Sequence, residues 1–292
     1  MTLDFIIQLV LNGFMLASVY VVVAMGLALI YSIMHLINFA HGEFYMLGSY
    51  AVYTVLVKIG YNYIVATICA IILMGVIGLF VERFLLRPFA GVLLPAVLVG
   101  MGLMFVLQTI AVLVFGPEPV TIANPYPGVV RILGAVITIE RLIVIGVAVA
   151  AIIAIFLFLK YTATGQAMRA ISQDREMCTL VGINAGFISN LCMGISCGLA
   201  GLAGATVGHI FFVDPWMGQA LLFKGFACII LAGLGSIPGV LISSALLGLI
   251  ESFVATLVDP VLANMVAFIV IIAVLIIRPQ GLMGLPTHRI TS

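Results

Sequence analysis

The spacing of charged residues constrains this chain more than any other feature. No Asp, Glu, Lys or Arg occurs in 5–42, 44–57, 59–81, 88–117, 142–159, 177–213, 225–250 or 260–277. A helix rises 1.5 Å per residue, so roughly 20 apolar residues cross the hydrocarbon core of a bilayer. Most of these runs hold one span, and the first two join across Glu43 to make two. Only 7% of the residues are charged and 65% are hydrophobic. Soluble domains carry roughly 25% charged residues, so this chain cannot cover a water-facing surface. The expected fold is all-α: a polytopic integral membrane helical bundle forming one transmembrane domain over 1–292. A net charge of +1 gives no sign of a nucleic-acid partner.

Spans are expected near 5–31, 36–57, 63–81, 92–115, 142–159, 186–212 and 261–277. The stretch 220–257 is apolar but interrupted at Gly233-Leu-Gly-Ser-Ile-Pro-Gly239, where glycine and proline both oppose a continuous helix. Broken backbone at membrane depth survives only inside protein or beside a water-filled cavity. The stretch is therefore either two short spans with a turn at one surface or a re-entrant hairpin, for about 7–9 spans in all. Met1-Thr-Leu-Asp4 lacks the basic region of a cleaved signal, so the first apolar run is expected to remain as a span.

Lys and Arg orient the bundle. Placing 82–91 in the cytoplasm puts 160–185 and the tail after 277 on the same side. Arg83, Arg87, Lys160, Arg169, Arg175, Arg278 and Arg289 then lie inside. Lys58, Arg131 and Arg141 lie outside, with Lys224 nearby, as the positive-inside rule requires. The C-terminus is then cytoplasmic. The segment 116–138, punctuated by Pro117, Pro119, Pro125, Pro127 and Gly128, reads as an external loop.

The polar segment 160–185 needs a reason in so apolar a protein. Met168, Ile171, Cys178 and Val181 recur at helical spacing, while Arg169, Gln173 and Glu176 fall on another face. Thr164 suits an N-cap and Gly182 a C-terminal stop. This predicts a short amphipathic helix that either lies among lipid headgroups or docks a soluble partner.

Five cysteines, Cys69, Cys178, Cys192, Cys197 and Cys228, form no C-x-x-C pair. They predict neither a disulfide framework nor a metal site. No G-x-x-x-x-G-K-[ST] phosphate loop occurs. No catalytic constellation stands out either, because Asp4, Asp174, Asp214 and Asp259 all fall at span ends or in loops. No cofactor is expected.

Four stretches together resemble the LivH-type permeases, the membrane subunits of ABC importers for branched-chain amino acids. They are Gly26–Gly42 running on to Met46-Leu-Gly48, Gln173-Asp174 with Glu176 and Gly182-Ile183, Gly233–Gly239 with Glu251, and Arg278-Pro-Gln-Gly-Leu-Met-Gly284. The resemblance spans nearly the whole chain. It implies a bacterial inner-membrane protein that works with a homologous permease subunit, two ABC ATPase subunits and an external substrate-binding protein. It also implies a cytoplasmic "EAA" loop seated on the ATPase. Glu176 and Gly182 match that pattern, while Met177 and Cys178 replace its two alanines. On this reading Gln166, Arg169, Gln173, Asp174, Glu176 and Gly182 carry the ATPase coupling.

Candidates for the translocation path are Asn38, His41, Gly42, Glu43, Gly235, Ser236 and Glu251. A charge at the bilayer centre costs about 2.5–3.5 kcal/mol on insertion scales, so neither glutamate is expected to face lipid. Each sits near an interface, bonds to a neighbouring helix or lines the pathway for an amino-acid substrate. Gly194, Gly198, Gly201, Gly204 and Gly208 are expected to let helices pack closely, within the subunit or against a partner. The alternative functions are an ion-coupled secondary amino-acid transporter using these acids, and, more remotely, an intramembrane enzyme.

Overall fold

The computed structural model describes residues 3–132, 134–278 and 280–283. Arg289, Pro279 and Gly284 therefore lie outside the described residues. The chain forms a helical bundle whose axis is α1 (Leu3–Met34). At 1.5 Å per residue its 32 residues extend about 48 Å, well beyond a hydrocarbon core of about 30 Å. From Val19 to Ile30 every residue is buried, as expected of a helix that is apolar all round.

Around α1 pack α5 (Ile139–Tyr161), α8 (Ala185–Val207), α9 (Met217–Ala232) and α10 (Ile237–Leu257). Helices α3 (Tyr63–Val81), α4 (Leu93–Phe115) and α11 (Pro260–Ile277) complete the periphery. Ile72 on α3, Phe105 and Leu113 on α4, Ile153 on α5 and Ile272 on α11 are exposed. Such a uniformly apolar outer surface suits lipid rather than water. Among the described residues, seven helices are long and apolar enough to cross a membrane: α1, α3, α4, α5, α8, α10 and α11. The shorter α2 (His41–Tyr53) and α9 pack among them.

Three expected boundaries need correction. The span expected at 36–57 starts later, because 35–40 is not helical. His35 takes a positive φ of 50° and breaks α1 from α2. The expected 186–212 span ends at Val207, and Val213 then pairs with Val120 of the 116–138 segment. That segment is also more ordered than a loop, since Val129–Ile132 (β1) and Ala135–Thr138 (β2) form an antiparallel hairpin.

The interrupted stretch 220–257 resolves into an antiparallel helix pair. Ser243 Oγ on α10 donates to the Cys228 carbonyl on α9 at 2.7 Å. The pair turns through Gly233 and Gly235, at φ 91° and 88°, a region of backbone space that favours glycine. Leu282 and Met283 donate their backbone N–H groups to the Leu231 and Ala232 carbonyls, so the chain after α11 closes the same end.

The glycines of α8 pack within the subunit. A Cβ on Gly201 would meet Met74 of α3 and one on Gly194 would meet Leu79. One on Gly204 would strike the Tyr45 carbonyl of α2, and Gly48 is likewise pressed onto Gly201.

Candidate functional site

The break at 35–40 starts α2 inside the bundle. The His41 ring lies against Gly26, eight residues or about 12 Å before the end of α1. Gly26 also abuts the Ser196 carbonyl of α8. Asn38 shapes the turn: its Oδ1 accepts from Ala40 N at 3.1 Å, and its carbonyl accepts from His41 N at 3.2 Å. Within the break Leu36, Asn38 and Ala40 are buried and two cavities adjoin the rest, and enclosure by protein or a cavity is the condition for nonhelical backbone at membrane depth. Asn38, His41 and Glu43 are at most 1% exposed.

Gly42 permits the tightest approach in this region. A Cβ there would strike the Gly218 carbonyl, and a Cβ on Gly218 would strike that of Gly42. The first turns of α2 and α9 therefore meet backbone to backbone. One residue on, Glu43 Oε1 accepts from Gln108 Nε2 of α4 at 2.9 Å. Its Oε2 has no partner among the described residues, nor has either ring nitrogen of His41. Below this turn a cavity of about 220 Å³ runs between the break and the lower half of α9. Asn38, Phe39, Tyr31, Phe226 and Leu234 stand on its wall.

Glu251 occupies a separate network. Its Oε2 accepts from the Tyr20 hydroxyl at 2.7 Å, and its Oε1 pairs with Lys224 Nζ at 2.5 Å. Lys224 also donates to Asn264 Oδ1 at 3.3 Å, so the network ties α1, α9, α10 and α11. Lys224, expected near the outer side, sits within α9, with its charge balanced by a buried carboxylate, because an unpaired buried charge is costly. Gly235 and Ser236 stand apart from both acids, in the α9–α10 turn. Ser236 Oγ accepts from Gly239 N at 3.2 Å and caps α10.

The polar segment 160–185 forms two helices rather than one. Helix α6 (Ala163–Gln173) is capped by Thr162, whose Oγ1 accepts from Gly165 N at 3.0 Å, and not by Thr164. Asp174 ends α6 and caps α7 (Arg175–Leu180), accepting from Met177 N at 2.9 Å. Gly182 closes α7 at φ 88°. Met168, Ile171 and Cys178 are buried as the stripe requires, but Val181 is 77% exposed because α7 ends at Leu180 and Val181 lies outside the helix. Gln166, Arg169, Gln173, Asp174, Glu176 and Gly182 are all exposed. Met177, Leu180 and Val181 add an exposed apolar tip.

The two ends of the bundle differ. At one, Gln8 Oε1 of α1 accepts from Val136 N of the hairpin at 2.9 Å, and Arg141 donates to Asn12 at 2.6 Å. His209, in the turn after α8, stands 3.3 Å from the Tyr63 hydroxyl, and burial lowers its pKa from the usual histidine value. At the other end Met34 and Arg175 share a cavity, so α6 and α7 lie opposite the hairpin.

Comparison with known proteins agrees with this architecture. Residues 9–275 match the family described as branched-chain amino acid transport system / permease component. The chain is 30% identical over 297 residues to the high-affinity branched-chain amino acid transport system permease protein LivH of Escherichia coli K12, covering 97% of this chain and 96% of that one. It is 31% identical to LivH of Salmonella typhimurium, with the same coverage. It is also 31% identical to the corresponding BraD protein of Pseudomonas aeruginosa, covering 96% of both chains. With a full-length match laid over a bundle of membrane-spanning helices, the chain belongs to the family of branched-chain amino acid transport permeases.

Proposed function

We propose that this chain is a membrane-spanning permease subunit of an ATP-driven importer for branched-chain or other neutral amino acids. The observation that carries the reading is the family match across 9–275, joined to an exposed two-helix projection at one end of the bundle. In this reading α6 and α7 dock an ATPase subunit through Gln166, Arg169, Gln173, Asp174, Glu176 and Gly182. That end is cytoplasmic, with the C-terminus beside it, in a bacterial inner membrane. A substrate-binding protein delivers the amino acid at the hairpin end.

A second, homologous permease completes the passage, and two ATPase subunits supply the energy that the chain's own sequence has no phosphate loop to harvest. Asn38, His41, Gly42 and Glu43 form the polar level of the path, above the apolar cavity at Phe39 and Phe226. Glu251 contributes by fixing α9 and α10 in place, and Gly235 and Ser236 shape the turn at the foot of the cavity. The ion-coupled alternative has no support in the family match.

Purification in mild detergent, followed by identification of the accompanying chains, tests the reading. Nucleotide-binding subunits and a second permease are expected. A preparation that contains neither, yet accumulates amino acid in liposomes under a proton or sodium gradient, overturns it.

A further inference from the structure

A second cavity, of about 150 Å³, lies at the α6–α7 end, at the foot of α4. Its polar wall is made of His35, Glu82, Arg87, Arg175 and Ser189. Two arginines and one glutamate thus line it. Glu82 is already engaged: Arg87 donates to both its oxygens, at 3.2 and 2.9 Å, and Asn190 donates to it at 2.8 Å. Arg87 Nη2 also reaches the Gly186 carbonyl at 2.7 Å. Arg175, by contrast, belongs to neither ion pair found among the described residues. It is the one charged residue of α6 and α7 on this wall, and it does not belong to the set proposed to dock the ATPase.

Two further observations point to an anionic occupant. Ser189 is 2% exposed and its hydroxyl has no hydrogen-bond partner among the described residues. Gly186 and Ser189 lie near the start of the 23-residue α8, where backbone N–H groups and the helix dipole favour negative charge. The remaining wall is apolar, with Leu36, Phe89, Val92 and Ala96. It leads onto the outward face of α4, where Leu94 and Leu98 are 70% and 59% exposed. A free inorganic ion would gain nothing from that apolar wall. An amphiphile would use both halves.

We propose that this cavity binds the phosphodiester headgroup of an anionic membrane lipid, with the phosphate between Arg175, Ser189 and the start of α8 and the acyl chains along α4. The site joins the base of the 35–40 break to α7, so a bound lipid braces the two against each other.

Native mass spectrometry of the full chain, titrated with phosphatidylglycerol or phosphatidylcholine, tests the proposal. Phosphatidylglycerol should be retained at lower concentration. Arg175→Ala should weaken its retention about fivefold, since a basic side chain at a membrane surface contributes about 1 kcal/mol. Arg175→Lys should keep most of it, and Ser189→Ala, which leaves the charges in place, should lower it. Arg83→Ala removes a nearby charge that does not line the cavity, and should change nothing. Equal retention of the two lipids, or undiminished phosphatidylglycerol binding in both Arg175→Ala and Ser189→Ala, overturns the proposal. Binding of inorganic phosphate without binding of lipid overturns it as well.

Discussion

Lys224 of α9 and Glu251 of α10 form an ion pair of 2.5 Å inside the bundle, with side chains 16% and 8% exposed. The pair recruits Tyr20 and Asn264, so one charge–charge contact holds four helices. Losing a single partner strands the other charge, which in buried pairs costs about 3–5 kcal/mol. Lys224→Met and Glu251→Leu should each lower the melting midpoint in detergent and the yield of folded protein. The double variant should be less damaged than the sum of the two. A strictly additive double variant would show that the charges are not coupled.

Glu43 and Gln108 form the corresponding contact between α2 and α4. Glu43→Gln retains an oxygen that can accept from Gln108, and should leave both folding and uptake close to normal. Glu43→Leu leaves the Gln108 amide unpaired at a cost of about 1–3 kcal/mol. Initial amino-acid uptake by the assembled transporter should then fall more than membrane abundance does. Equal falls would assign Glu43 to packing alone.

Gly204 is fixed by the Tyr45 carbonyl. Gly204→Ala drives a methyl into that backbone, and overpacking of this kind costs about 1–3 kcal/mol. Gly102 on α4 has open space where its Cβ would stand. Gly102→Ala should therefore be neutral or slightly stabilising, while Gly204→Ala lowers the melting midpoint. Both are read from the same thermal scan.

Glu176 is exposed in the first turn of α7, and its carboxylate is in neither ion pair found among the described residues. Glu176→Lys should insert normally and yet reduce substrate-stimulated ATPase activity of the full complex severalfold. Unchanged stimulation would remove α7 from the coupling surface.

His209 has a folded pKa below its unfolded value, because burial disfavours the charged ring. Its unfolded form therefore binds more protons in the interval between the two values. The stability it permits is fully present above about pH 6.5, the usual histidine value, and is lost as pH falls below it. His209→Phe should flatten this part of the melting-midpoint profile. An unchanged acid limb would exclude His209 as its source.

The spans were legible because charge is so costly in hydrocarbon. The ends of α3, α4, α5 and α11 fall within about three residues of the expected spans, inside the usual uncertainty of boundaries read from sequence. The start of α2 was not legible, since 36–40 is as free of charge as the helix before it. What breaks the helix there is the turn built by Asn38 and the positive φ of His35. Glu251 in an apolar run announced that it needed a partner, but nothing local named Lys224 or Tyr20, which lie 27 and 231 residues away. Lys224 was legible only as a charge near the outer side, without its partner. Of the six residues proposed to couple to the ATPase, Arg169, Gln173 and Glu176 were legible as a polar face. Their division between two helices at Asp174 was not, because a cap residue also fits an uninterrupted helical pattern.

The meeting of Gly42 and Gly218 has a mechanical consequence. Two main chains in direct contact leave no side-chain cushion to yield when one of them shifts. Tilting either helix must drag its neighbour, so α2 and α9 turn about a joint pivot rather than independently.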